Sequence, residues 1–137
     1  MAKPVTPEDL CKVFAVLQPD MSASQEALRP GLYSDLDARY NDFENHSLVA
    51  CYDFSADWGS WEQHPAGDEV VVLLSGTVTM VLWQNKAEKL VELTTPGSYV
   101  IVPRGIWHTA RVSKPAKMLF ITPGQNTQHG DSPSDAA

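Results

Sequence analysis

From His46 onward the apolar positions recur every second residue. Leu48, Ala50, Tyr52 and Phe54 fall on one side of an extended chain, and Val49, Cys51 and Asp53 on the other. Glu69 to Leu74 is a short, nearly continuous apolar run, the pattern of a strand covered on both faces. Thr77 to Gln84 alternates again, a polar turn follows at Asn85 to Glu88, and Lys89 to Leu93 returns. Thr95-Pro96-Gly97 is a second turn signal. Tyr99 to Val102, Trp107 to Val112 and Met118 to Ile121 complete the series. About eight short strands punctuated by turns predict an antiparallel sandwich or barrel. No strong helical pattern interrupts them, which excludes parallel βαβ units.

The N-terminal third reads differently. Thr6-Pro7-Glu8-Asp9 has the form of a helix start. Leu10, Val13, Phe14 and Leu17 then fall at i, i+3, i+4 and i+7, which predicts one apolar helix face, and Pro19 stops it. Residues 20–45 read as an arm of turns and short extended pieces. The expected division is an N-terminal helix and arm over 1–45, a β-barrel over 46–122, and a flexible tail over 123–137.

Composition narrows the partners. The chain has 137 residues, with 17 acidic residues against 10 Lys and Arg, a formal charge of −7 and no basic cluster. Such a chain is a poor ligand for phosphate backbones, so nucleic acid is not an expected partner. No apolar leader opens the sequence, and the longest apolar run, Val70 to Leu74, is far short of the roughly 20 residues that span a bilayer. The expectation is a soluble cytoplasmic protein without membrane contact. Cys11 and Cys51, two thiols only, read as reduced, small hydrophobes rather than a disulfide framework.

Chemistry concentrates in two stretches. In Trp61 to Glu69, Glu62 and His64 stand two apart and share a strand face, while Pro65 and Gly67 turn the chain toward Glu69. A hairpin there points Glu62, His64 and Glu69 at one interior spot. In Gly97 to His108, Pro103-Arg104-Gly105 is a turn and His108 opens a new strand. If His108 reaches the same spot, two imidazoles meet two carboxylates. Buried carboxylates are costly unless paired, and two of them repel. A divalent cation resolves both problems, and the mixed N/O set suits Fe, Mn, Ni, Co or Zn.

Both stretches resemble the two signature motifs of the cupin superfamily. His64, Glu69 and Gly76 match the first in spacing, and Gly97, Pro103, Gly105 and His108 match the second. The resemblance covers about Leu48 to Ile121. It implies an all-β, antiparallel jelly-roll barrel, here with a short N-terminal helical arm, that usually pairs as a homodimer. It also implies a metal held by His64, Glu69 and His108. Three positions depart from the pattern. Glu62 stands where the first metal-binding His is usual, Ala56 holds the place of the leading Gly, and Val112 that of the final Asn.

Glu62 is therefore a fourth ligand, a proton-transfer base beside an open site, or a solvent-facing residue at the barrel mouth. Tyr52, Phe54, Tyr99 and Phe120 are the candidate pocket lining. Arg104 either holds an anionic substrate or is a solvated turn residue. The tryptophans read as core or interface packing, and His46 and His129 as residues of an approach and a tail. The functional expectation is a metal-dependent, dioxygenase-like enzyme acting on a small organic molecule. A metal-assisted isomerase or lyase, and a non-catalytic barrel that binds or senses a small ligand, are the alternatives. The choice among them is analogy, because one fold hosts many chemistries.

Overall fold

Eleven strands form two antiparallel sheets in the computed structural model, which describes residues 5–133. The strands are β1 (Val13–Leu17), β2 (Ala23–Ala27), β3 (Ser47–Phe54), β4 (Trp61–Gln63), β5 (Glu69–Ser75) and β6 (Val78–Gln84). They continue with β7 (Ala87–Leu93), β8 (Tyr99–Val102), β9 (His108–Arg111), β10 (Ala116–Thr122) and β11 (Gln128–Gly130). One sheet runs β2-β1-β3-β10-β5-β8 and the other β11-β4-β9-β6-β7. This is a jelly-roll sandwich, two facing sheets rather than one continuously bonded barrel wall. Every strand read from the alternation between residues 48 and 121 is present. The β6–β7 turn is a two-residue loop with Asn85 and Lys86 both at positive φ, the geometry that matches strand twist.

The sheets close over Val71, Leu73, Met80, Leu82, Ala110 and Met118, all buried. A second apolar cluster lies beneath the arm and contains Phe14, Val16, Leu32, Leu36, Phe43 and Leu48. The expected N-terminal helix is not there. Asp9 O accepts from Lys12 N and Val13 N, one helical turn, and the chain then extends. Phe14 and Val16 are buried while Leu17 is 42% exposed, a period of two that the i, i+3, i+4 reading conceals. β1 gains a ladder on each side, from β2 and β3, and its valines suit a strand better than a helix.

The helix of this fold is instead α1 (Leu32–Arg39), in the segment read as turns and extended pieces. A buried ion cluster ties it to β2. Glu26, 3% exposed, accepts from Arg39 Nη1 at 2.8 Å, Tyr40 Oη at 2.6 Å and Arg29 Nη2 at 3.2 Å. Cys11 and Cys51 form a disulfide, against the expectation of two reduced thiols. The antiparallel β1–β3 pairing brings their Cα atoms to 4.5 Å. The expected flexible tail also differs at its start, because Gln128–Gly130 is strand β11 on β4. Residues 134–137 of that tail, and 1–4 of the arm, lie outside the described residues. No helix among the described residues is long and apolar enough to cross a membrane.

Gly76 sits at φ +80 between β5 and β6, where an added Cβ would meet Pro115 O at 2.4 Å and Ala116 Cα at 2.9 Å. Both the backbone conformation and the space require glycine. Gly76→Ala is expected to cost about 2–4 kcal/mol and to lower Tm by roughly 10 °C. Gly59→Ala, with nothing within 4 Å of its Cβ, is the control that leaves Tm near wild type. Thermal melts of the two variants check this.

Candidate metal centre

Three adjoining strand segments converge on one point. β4 pairs with β9 so that Glu62 lies opposite His108, which in turn lies opposite Leu82 of β6. His64 follows β4 directly and its carbonyl accepts from Gly105 N at 3.0 Å, so the turn before β9 is stitched to the end of β4. Glu69 opens β5 in the facing sheet. The two carboxylates and two imidazoles offer ligand atoms that all lie within 4.8 Å of one another. The predicted quartet Glu62, His64, Glu69 and His108 is thus assembled.

The local geometry fixes each imidazole. His108 Nδ1 donates to Ile106 O at 3.0 Å, since a carbonyl can only accept. His64 Nδ1 lies 2.8 Å from Thr127 Oγ1. Thr127 gives its own hydroxyl proton to Gly124 O at 3.1 Å, so it accepts from His64. Both rings therefore turn Nε2 toward the cluster. Thr122 Oγ1 donates to Glu69 Oε2 at 2.6 Å and holds that carboxylate. Outer partners of this kind set the tautomer and orientation of metal-binding imidazoles.

Inside the cluster the contacts are looser. Nε2 of His64 lies 3.6 Å from Glu62 Oε1 and 3.3 Å from Glu69 Oε2. Nε2 of His108 lies 3.5 Å from Glu62 Oε1 and 3.1 Å from Glu69 Oε1. His64 Nε2, His108 Nε2 and Glu69 Oε1 are buried without a hydrogen-bond partner. Such orphaned polar atoms are costly. Ligand atoms each about 2.1 Å from a common ion stand roughly 3.0–3.4 Å apart in octahedral or tetrahedral sets. The donor set and its spacing fit a divalent transition metal.

The rest of the candidate lining divides. Tyr52, Phe54 and Phe120 border a cavity of about 940 Å³ that opens onto Glu62, His64 and Glu69. Tyr99 does not: it is 61% exposed on the outer face of β8, because the strand's alternation directs it away from the interior. Arg104 is exposed in its turn, and its backbone N–H donates to Asp68. Residues missed in the sequence also border the cavity. Tyr33 from α1 has its hydroxyl bonded to that of Tyr52. His129 on β11 approaches Glu62, Nε2 to Oε2, at 3.4 Å. Trp58, read as packing, forms part of the wall. His46 is buried against Tyr40 and Phe43, consistent with a packing role. Nothing in the spacing of Gln128-His129-Gly130 marks it as a strand, so His129 had no signal.

No family model matches the chain, and no curated protein matches it in sequence. Solved structures do match. An oxalate oxidase superposes with a TM-score of 0.50 at 16% identity, over 59% of this chain and 44% of that one. A cupin-2 domain protein from Shewanella frigidimarina gives 0.49 at 19% identity, over 56% and 70%. The chain has a cupin fold. A cupin superfamily protein from Desulfitobacterium hafniense gives 0.48 at 22% identity, over 56% and 65%. The chain spans less than half of the oxalate oxidase, and the likeness is one of fold.

Charge sets the behaviour of the metal-free centre. Burial alone would lower both imidazoles, but the facing carboxylates outweigh it and raise His64 to about 9 and His108 to about 10. Burial alone would raise Glu62 and Glu69, but the facing imidazoles hold both below the usual carboxylate range. The stability from the raised imidazoles is complete below their ordinary 6.5 and is lost as pH rises through 9 to 10. The stability from the depressed carboxylates is present above their ordinary 4.5 and is lost in acid. The Tm of chelator-treated protein is expected to decline from about pH 6.5 to 10, and Glu62→Gln to flatten that decline. A flat wild-type profile would show that the imidazoles are neutral in the folded state.

Proposed function

We propose that this protein is a small metal-binding cupin in which His64, Glu69, His108 and Glu62 hold one divalent transition metal beside a cavity for a small organic molecule. The observation that carries this reading is the trio of buried, unpartnered donor atoms, His64 Nε2, His108 Nε2 and Glu69 Oε1, turned toward one point. A bound ion of this class supplies Lewis acidity and, where it is redox-active, dioxygen chemistry. The chain's own residues do the rest. Glu69, 2% exposed, is a fixed anionic anchor. Glu62 is 21% exposed at the cavity wall, with Oε1 toward the two imidazoles and Oε2 toward His129. One oxygen can serve the ion while the other accepts a proton from a substrate in the cavity.

We read the activity as a metal-dependent oxygenase or oxidase. The Glu62–His129 contact at the cavity wall favours a second reading, a metal-assisted isomerase or lyase with Glu62 as proton-transfer base. We further propose a homodimer. Tyr99, Ile101 and Leu74 leave exposed apolar area along β5 and β8, which a second copy would cover.

Metal analysis of the full chain purified without a His-tag tests the core of this. About one metal per chain is expected, with His108→Ala losing it and chelation lowering Tm. Substoichiometric metal together with a chelation-insensitive Tm overturns the reading. Oxygen uptake with phenols, diketones and thiols then separates an oxygenase from an isomerase or a binder. Light scattering should give twice the chain mass, and Tyr99→Lys with Ile101→Lys should give a monomer that keeps its metal.

A further inference from the structure

The cavity's charge inventory is one-sided. Among the described residues that line it there is no Lys or Arg. Asp37, Asp42 and Asp57 stand around it besides Glu62 and Glu69. The basic side chains nearest by sequence to the site, Arg104 and Arg111, are exposed and outside the lining. Arg29 and Arg39 are engaged with Glu26.

The centre does not compensate. Glu62 and Glu69 bring −2, so a divalent ion leaves the cluster at zero. A site with three His and one Glu would keep one positive charge and attract anions; the carboxylate at position 62 removes it. His129, the further imidazole on the wall, faces Glu62 Oε2. Of the buried, unpartnered atoms, His64 Nε2 and Glu69 Oε1 belong to residues that line this cavity, so its inner end carries polar groups without a partner.

Part of the cavity wall is aromatic and continuous. Ring centroids of Phe54 and Trp58 lie 5.6 Å apart, Trp58 and Phe120 5.8 Å, and Tyr52 and Phe120 6.2 Å. Trp58 also meets the His108 ring at 6.2 Å, so the wall runs up to the cluster. Aromatic faces attract organic cations, and carboxylates at the rim add to that attraction.

Resting on the cavity assigned above, we propose that its substrate class is amine-bearing: a small ring-containing molecule whose protonated nitrogen meets Asp37 and Asp42 while its ring lies on the Trp58–Phe120 wall. Carboxylates and phosphates of the same size are rejected. Three probes that share a phenethyl group test this on the full chain, before and after zinc loading: phenethylamine, phenethyl alcohol and hydrocinnamate. Binding is read by titration calorimetry and by quenching of tryptophan fluorescence. Phenethylamine is expected to bind about tenfold or more tighter than hydrocinnamate, with the alcohol between. Asp37→Asn with Asp42→Asn, at two exposed positions whose side chains make no hydrogen bond or ion pair among the described residues, should shrink that ratio several-fold and leave Tm unchanged. Equal or tighter binding of hydrocinnamate, no binding by any probe, or a ratio untouched by the double variant overturns the proposal. Metal content measured on the same samples keeps the two readings apart. A chain that takes up no metal but prefers the amine sinks the metal assignment and supports the substrate class.

Discussion

Two carboxylates facing two imidazoles in a buried pocket are the constraint on which the rest of the structure depends. Neither pair is tolerable alone: Glu69 and His108 are almost wholly out of water, and isolated buried charges cost several kcal/mol each. Together they reach neutrality, with protons or with a metal. The β4–β9 pairing sets Glu62 opposite His108, and Glu69 meets them from the facing sheet. A register slip of one residue in β4 would turn Glu62 to the opposite face. The turns that hold this register are therefore as much part of the centre as its donors.

The support comes from both ends of the chain. Thr127, just before β11, sets the His64 tautomer, and β11 lies on β4 beside Glu62. At the other end, β1, the Cys11–Cys51 disulfide and the Glu26 cluster press the arm onto β3, and α1 brings Tyr33 to the hydroxyl of Tyr52. The arm thereby closes one side of the cavity.

The strands from 48 to 121 and the cluster of Glu62, His64, Glu69 and His108 were legible because period-two alternation and the fixed spacing of the cupin motifs are local signals. Glu62, His64, Glu69 and His108 were found from those signals together with the cost of burying carboxylates. The arm was not legible. Leu10, Val13, Phe14 and Leu17 satisfy a helical spacing, and only tertiary pairing with β2 and β3 decides for a strand. α1 carries few apolar residues, with Leu32 and Leu36 buried, and Gly31 rather than a capping side chain precedes it, so it lacks the usual start signal. Tyr99 failed for a simpler reason: alternation gives two faces, and nothing in Tyr99 to Val102 says which one is inside.

Position 62 shows how one residue changes what a shared fold can recognise. A histidine there would add a neutral donor and leave a divalent centre positive. A glutamate adds a charge, makes the ligand set harder and takes away the centre's attraction for anions. The surrounding wall is consistent with that change, since its aromatic rings and aspartates offer an anion nothing in place of the lost positive charge. Arg104 could have supplied it from the turn before His108, but its side chain stays in solvent while its backbone N–H is bound by Asp68.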